Sequence, residues 1–440
     1  MDRRTFLALL AVPVLAPALA ACGSSGSSGP GTTTKPGAKV NELRGTASHA
    51  MAGASDAAAA VTAVNAFAAD LYGRMLAAKP TDNLVVSPSS IVFALAMTSA
   101  GAKGSTLAAM DSTLHIADPA TIAHSMNGLA TSLTKVNKTK DNTKEGGTGT
   151  SSVVLQTVNS LWGQAGLTFE QAFLNELWAE YLAPLYTVDY RTDPEAARVA
   201  INGWVDGSTH DRIPELLPKG TITTDSRLTL VNAIYLKANW MDEFAVAKTS
   251  KAAFTTAAGN SVQVDMMHRS GEMSYAKGDG WQAVDLPYVF GDLSFTVAVG
   301  DATSSAVPDG PTVVAALSPG RLVDLGLPKF DIGTTTMLAD LLRAMGMAEA
   351  FSAQADFSGM TTQEKLFISD VVHQANITVD EKGTEAAAAT AVVMAGTAAP
   401  VGPPVQLTFD RPFTFWLRDT ATGAIVFMGR VADPSKPRTA

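Results

Sequence analysis

The chain of 440 residues contains one cysteine, Cys22. A disulfide framework is therefore excluded, and so is a zinc site built on paired thiolates. Histidine is sparse as well: the six, at 49, 115, 124, 210, 268 and 373, include no H-E-x-x-H and no close pair at metal spacing, so no metal centre is expected. No G-x-S-x-G occurs, and no Walker A or G-x-G-x-x-G motif precedes a helix. Ser87, Ser89 and Ser90 fall at a strand-to-helix junction, where helix capping accounts for them. Nothing here reads as catalytic machinery; an enzyme is not expected and no cofactor is implied. Basic charge is also in deficit, with 32 Lys and Arg against 41 Asp and Glu and a net charge of −9. That balance argues against nucleic acid as a partner, because neutralising phosphates requires a basic face. The one local basic run, Lys135, Lys138, Lys140 and Lys144, sits among Asn, Thr and Gly with Asp141 and Glu145 close by, and reads as a solvated loop.

What is present begins with an address. Arg3 and Arg4 precede "FLALLAVPVLAPALAA", a charged region and an apolar run too short to span a bilayer, as expected of an export signal. The run ends in "LAAC", which resembles a bacterial lipoprotein signal, cut before Cys22 and acylated on its thiol. On this reading residues 1–21 are a signal peptide and the protein is extracytoplasmic, held at the cell membrane by lipidated Cys22. A plain secretory signal is the alternative. "DRRTFL" also resembles the twin-arginine export motif. Residues 22–55, opening "GSSGSSGPGTTTKPG", are too poor in large apolar side chains to order themselves and read as a flexible tether.

With 46% hydrophobic residues the remainder can bury a large core. From Ala57, Val64, Phe67, Leu71 and Met75 recur at helical spacing. "NLVVSPSSIVFALAMTSAG" reads as a short strand, a proline stop and a second helix. A hydrophilic insertion, Asn137 to Ser152, follows. "VVLQTVNSLWG" and "RLTLVNAIYLKANW" read as strands, and "AARVAINGWVDGSTHDRI" as a helix between them. Alternation from Phe254 to Gly300 predicts strands, "TTMLADLLRAMGM" (335–347) a helix, and the last third strands again. Helices dominate early and antiparallel-looking strands late, which is an α+β arrangement. No repeat or interior linker divides residues 56–436, taken as one domain with a 437–440 tail.

Several of these segments together resemble the serpin family, over residues 57 to 436. "NLVVSPSSI" with "ALAMTSAGAKGST" is similar to its first helices and the strand between them; "INGWVDGSTHDRIPELL" and "LTLVNAIYLKANW" to its helix F and third central strand. "LPKF" is similar to its strand six, "ITVDEKGTEAAAATAVVM" to its hinge, and "DRPFTFWLRDTATGAIVFMGRVADP" to its closing signature. His210-Asp211 departs from the usual small or amide residue and glycine. The resemblance implies the serpin fold, helices packed around a large central sheet plus smaller sheets, with an exposed reactive loop. It also implies an inhibitor of serine proteases that works once: the protease cleaves the loop, remains covalently attached, and is displaced as the loop inserts into the central sheet.

The hinge residues Glu381, Gly383, Thr384, Ala386, Ala387, Ala388, Ala389 and Thr390 can be tested against that behaviour. In a strand every second side chain faces the same way. From Thr384 in steps of two come Ala386, Ala388, Thr390, Val392 and Met394, all small or apolar, while the charged Glu385 takes the other face. A segment that must be a loop first and a buried strand afterwards needs this composition. By resemblance Ser87, Ser90, Asn232 and His373 form the shutter below the sheet's centre, and Trp240, Lys329 and Glu381 the breach where insertion starts. Taken alone, His373 would be a satisfied strand histidine and Lys329–Glu381 a surface pair worth under about 1 kcal/mol. The usual spacing from Glu381 puts the reactive bond at Thr397–Ala398, with Met394 and Val401 as bounds, and predicts an elastase- or subtilisin-like target. The expected protein is a monomer. The alternative function is a non-inhibitory relative, a binding, carrier or structural surface lipoprotein.

Overall fold

A computed structural model describes residues 38–142, 149–209, 213, 215–301, 308–384 and 403–438. The described chain opens with β1 (Asn41–Leu43), one 3-10 turn, and α1 (Ala58–Ala78), which buries Val64, Phe67, Leu71 and Met75 as their spacing predicts. β2 (Leu84–Val86) runs into α2 (Pro88–Ser99), every residue of which is buried. Ser87 caps that helix by accepting from the Ser90 N–H, and Pro88 takes the first turn, where its missing N–H costs nothing. Next come α3 (Gly104–Thr113), α4 (Ile122–Lys135), the β3 (Lys138–Asp141) and β4 (Thr150–Gln164) hairpin, α5 (Gln171–Tyr181), β5 (Leu185–Val188), α6 (Pro194–Ser208) and β6 (Leu228–Asn239). The second half is strand-rich: β7 (Ser250–Thr255), β8 (Ser261–Gly278), β9 (Trp281–Pro287), β10 (Leu293–Gly300), α7 (Gly310–Ala316), β11 (Ser318–Pro328) and β12 (Phe330–Met337). It closes with α8 (Ala339–Leu342), β13 (Asp370–Val379), β14 (Gly383–Thr384), β15 (Val405–Thr408), β16 (Phe413–Asp419) and β17 (Ile425–Val431).

Two sheets result. The first runs β1-β5-β4-β6-β14-β13-β12, with β3 on β4; the second runs β15-β11-β8-β9-β10-β16-β17-β2, with β7 on β8. Alternation gives the first sheet two apolar faces. Leu228, Leu230, Ile234, Leu236 and Ala238 of β6 point into the main core, shared with α1, α2 and the second sheet. Val231 of β6 and Val372 of β13 point the other way, into a smaller cluster with Trp162, Ile201, Val205, Leu216 and Leu217 beneath α6. Arg198 ties α6 to the segment after it, donating to Glu215 at 2.8 Å and to the Leu217 carbonyl at 2.6 Å.

The architecture is α+β, as expected, with four local corrections. Residues 38–55, assigned above to the tether, are part of the domain: β1 pairs antiparallel with β5, and the Ala50 N–H donates to the Ala179 carbonyl. The hydrophilic insertion contains β3, paired with β4 through Lys138↔Val153 to Asp141↔Thr150. Both strands are held by backbone bonds, which polar side chains neither announce nor prevent. The helix expected over 335–347 starts four residues late, because 335–337 complete β12; it runs as α-helix over Ala339–Leu342 and widens to a π turn over Arg343–Met347. Threonines at 334–336 suit a strand, and Gly346 at φ 118° stops the helix. The tail is anchored as well, since the Arg438 N–H donates to the Asp331 carbonyl at 2.9 Å.

The cluster beneath α6 is small and separate, so damage there should be local. Ile201→Ala removes a fully buried side chain and is expected to cost about 2–5 kcal/mol. Hydrogen exchange should rise in α6 before it rises in β10, β16 and β17; equal acceleration throughout would contradict this layering.

Candidate functional site

The four residues expected at the sheet's centre do meet. His373 of β13 and Asn232 of β6 are register partners. The Ser87 N–H donates to His373 Nε2 at 3.1 Å, which leaves the ring proton on Nδ1, donated to Asn232 Oδ1 at 2.6 Å. The Asn232 amide in turn donates to Ser90 Oγ and to Asn159 Oδ1, and Ser87 Oγ donates to the Val426 carbonyl of β17 at 2.7 Å. One imidazole thus joins the first turn of α2 to the two strands β6 and β13. It is fully buried, and that burial pushes its pKa down to about 3.

At the top of the same two strands the chain turns from β13 into β14. Asp380 builds the turn: its carboxylate accepts from the Lys382 and Gly383 N–H groups at 2.8 and 3.2 Å, and its own N–H donates to the Gly383 carbonyl at 3.0 Å. Gly383 is required here, because a Cβ would stand 2.0 Å from the Ala238 carbonyl oxygen and φ is 151°. Trp240 closes over the turn, donating its indole N–H to the Asp380 carbonyl at 3.0 Å and its backbone N–H to the Lys382 carbonyl at 2.8 Å. Its ring stacks on Tyr288 at 4.5 Å.

Lys329 and Glu381 pair at 2.8 Å, and the glutamate side is only 8% exposed, so the pair is not the surface contact that sequence alone allows. Burial pushes the Glu381 carboxyl up, but Lys329, its own backbone N–H and the Thr249 hydroxyl more than offset this and hold it below its ordinary range. The Phe244 N–H donates to the Glu381 carbonyl at 2.8 Å.

Gly383 and Thr384 depart from the exposed hinge that the resemblance implied. They lie between β6 and β13 as a two-residue strand, antiparallel to both, with Thr384 opposite Ala238 on one side and Val379 on the other. Thr384 is buried, and its hydroxyl bonds the Tyr288 hydroxyl at 2.7 Å. Burial also holds the Tyr288 phenol well above its ordinary value, so it stays neutral. Below this wedge β6 and β13 pair directly, in parallel, from Thr229↔Asp370 to Ile234↔Ala375. The site is therefore a seam, closed at the centre by the His373 network and parted at the top by β14.

The family model for serpin (serine protease inhibitor) matches residues 62–434. The chain belongs to the serpin family. An uncharacterized serpin-like protein of Methanosarcina acetivorans is 33% identical over 84% of this chain and 87% of its own length. The human leukocyte elastase inhibitor is 32% identical over 84% of this chain and 97% of its own. Among solved structures, thyroxine-binding globulin in complex with thyroxine superimposes with a TM-score of 0.73 at 28% identity, covering 86% of this chain and all of that one. Serpin48 of the insect Tenebrio molitor gives 0.72 at 27%, over 84% and 97%. The serpin fold is thus the fold of this chain.

Of the residues singled out from sequence, Ser87, Ser90, Asn232 and His373 share one network, and Trp240, Lys329 and Glu381 surround one turn. Ala386 to Ala389, Thr390, Met394, Thr397, Ala398, Val401 and Cys22, the lipid acceptor expected from sequence, lie outside the described residues, as do His210 and Asp211. Four residues of this serpin's site were missed: Asn159, Tyr288, Asp380 and Thr249. Asp380 alone had a local signal, since Asp three residues before Gly is turn chemistry; the other three reach the site only through tertiary pairing.

The His373 arrangement fixes a pH response. An unfolded histidine takes up a proton below about pH 6.5, whereas folded His373 resists until about pH 3. Its contribution to stability is complete above pH 6.5 and is drained as pH falls from there toward 3. His373→Gln should remove that component, so the gap in urea midpoint between the two proteins should shrink between pH 7.5 and 5.5. A constant gap would show that His373 is not held neutral.

Proposed function

We propose that this serpin is a suicide-substrate inhibitor of serine proteases, acting by cleavage and insertion of residues 384–397 into the seam between β6 and β13. The observation that carries this reading is β14, two residues of an inserted strand already in register. Continued from Thr384↔Ala238, the strand would set Ala386 opposite Leu236, Ala388 opposite Ile234, Thr390 opposite Asn232 and Val392 opposite Leu230. All four partners are buried, so each position needs a small, apolar or hydrogen-bonding side chain, which is what the sequence supplies. Glu385 would instead face Lys237 on the opposite side, an attractive cross-strand pair. Thr390 would also face His373 and bring its hydroxyl to the polar network there.

In the covalent step the protease's serine oxygen attacks the Thr397 carbonyl. An ester forms, the Thr397–Ala398 peptide bond breaks, and the amine of Ala398 leaves with a proton. The freed end of the strand can then insert, exchanging one parallel ladder for two antiparallel ones and carrying the ester-linked protease with it. In this mechanism the shutter network must open and the breach residues direct the strand. No Arg or Lys lies between Lys382 and Arg411, so a trypsin-like pocket has nothing to grip. The small side chains around 397, and kinship with proteins named leukocyte elastase inhibitors, support an elastase- or subtilisin-like target.

Incubation with such a protease should give a detergent-resistant complex and release a peptide beginning at Ala398 and ending at Ala440. Cleavage without a complex, together with equal melting temperatures of cut and intact protein, would favour a binding or carrier role instead. Ala388→Arg should reduce the yield of complex by roughly tenfold or more, because the inserting strand would have to bury an unpaired charge; an unchanged yield would defeat the insertion argument.

We further propose acylation of Cys22, which would place this inhibitor, as a monomer, at the outer face of the cell membrane. Cys22→Ala should then move the folded protein from the washed membrane fraction into the soluble one. Retention in the membrane fraction would refute the anchor.

A further inference from the structure

The segment from β1 to Ala50 lies outside the residues matched to the serpin family, which start at 62, yet it bridges the two sides of the seam. β1 stands level with the seam's lower part: one row of register partners runs Leu43–Leu185–Leu161–Leu230–Val371 across β1, β5, β4, β6 and β13. β1 therefore belongs to the half of the sheet that ends at β6. At this level β6 and β13 pair directly, and an inserting strand has to part them by one strand spacing, about 4.8 Å.

From β1 the chain crosses at once to α5. Gly45 lies so close to that helix that a Cβ would stand 2.4 Å from the Leu174 carbonyl oxygen, and the Arg44 guanidinium covers the Trp178 ring at 4.9 Å. Asn175 Oδ1 accepts from the Thr46 and Ala47 N–H groups at 2.8 and 3.3 Å and from the Thr46 hydroxyl at 3.3 Å. At the end of the helix the Ala179 carbonyl accepts from His49 Nδ1 at 2.7 Å and from the Ala50 N–H at 2.9 Å. Asn127 of α4 donates to the Ala50 carbonyl at 2.9 Å. The start of α5 is fastened to the segment that leads into β13: the Glu170 N–H donates to the Met360 carbonyl, and the Thr361 hydroxyl to the Thr168 carbonyl, both at 2.7 Å.

One residue, Arg44, thus separates a strand of one half from a helix tied to the other. Two further links cross the same gap, and both have slack: residues 182–184 between α5 and β5, and the Glu364 side chain, which pairs with Arg191 and Arg227. Consecutive Cα atoms are about 3.8 Å apart, so a single residue between two fixed points cannot follow a shift of a whole strand spacing. One attachment has to give. β1 is the weaker, with Asn41 and Glu42 exposed. We propose that residues 41–50 form a strap that holds the lower seam shut, and that β1 must leave β5 before the inserting strand can pass Thr390. The strap rests on the insertion reading above and adds to it a brake on the last part of entry.

The test locks the strap and then loosens it. In a Cys22→Ala background, Asn41→Cys and Thr187→Cys place two thiols on register partners, at a separation that a disulfide accepts. A labelled peptide with the sequence of residues 384–397 is offered to the intact protein, and its entry is followed by fluorescence anisotropy. The oxidised form is expected to take up the peptide about tenfold or more slowly than its own reduced form, because the crosslink forbids release of β1. Asn175→Ala, which removes the acceptor shared by Thr46 and Ala47, should instead speed uptake about threefold or more. Comparing one protein in two redox states separates the lock from any effect of the substitutions on folding. Equal uptake by the oxidised and reduced forms would overturn the strap, as would unchanged uptake by Asn175→Ala. Failure of the peptide to enter the unsubstituted protein would sink insertion itself, and the strap with it.

Discussion

Parallel pairing between β6 and β13 covers only the lower part of the two strands, from Thr229↔Asp370 to Ile234↔Ala375. Above that point each strand has backbone groups that the other does not use, and buried backbone groups must find partners. β14 answers part of this demand at the very top, bonding Ala238 and Asn239 on one side and Val379 on the other. Much else in the molecule serves this boundary. Trp240, Tyr288, Asp380 and the Lys329–Glu381 pair fix the turn that delivers β14, and the His373 network fixes the place where direct pairing gives out. The α6 cluster lies on the outer face of the same strands, so the seam cannot widen without disturbing Val231 and Val372.

The polar network is placed where an apolar core would be simpler. A buried imidazole with both nitrogens satisfied costs little while the strands are together, yet each of its bonds crosses a boundary between elements: to the first turn of α2, and to β6. Separating the strands breaks the contact between His373 and Asn232 in one step, so the network is directional and specific to one register in a way that Leu against Ile is not. The same groups would suit a hydroxyl arriving between them, and of the two threonines in residues 386–399, Thr390 is the one that the register of β14 would bring there.

How much of this could be read from sequence depended on whether the cause was local. The buried stripe of α1, the apolar face of β6 and the alternation through β8 to β10 were all legible, because burial leaves a periodic trace in side-chain type. The motif residues of the site were legible by resemblance, whereas the parity counted along residues 386–394 falls outside the described residues. β1 and β3 were not, since strands such as "NEL" and "KTKD" are held by backbone bonds and carry no apolar signature. Thr335 and Thr336 were absorbed into a helix because the leucines after them dominate the period. Tyr288 could not be connected with Thr384, ninety-six residues away.

The position of β14 also bears on time. A strand entering a sheet is slow chiefly at its first contact, when a long loop must close and dihedrals must be fixed before any hydrogen bond repays the loss. Here that first contact exists in the uncut molecule, with its register set by Thr384 and its turn fixed by Asp380. What remains is elongation, one residue after another, along edges already aligned. A catalyst that must be immobilised before water releases it would then face zippering rather than nucleation, and the outcome of that contest would rest on how quickly the six parallel pairs below can be undone.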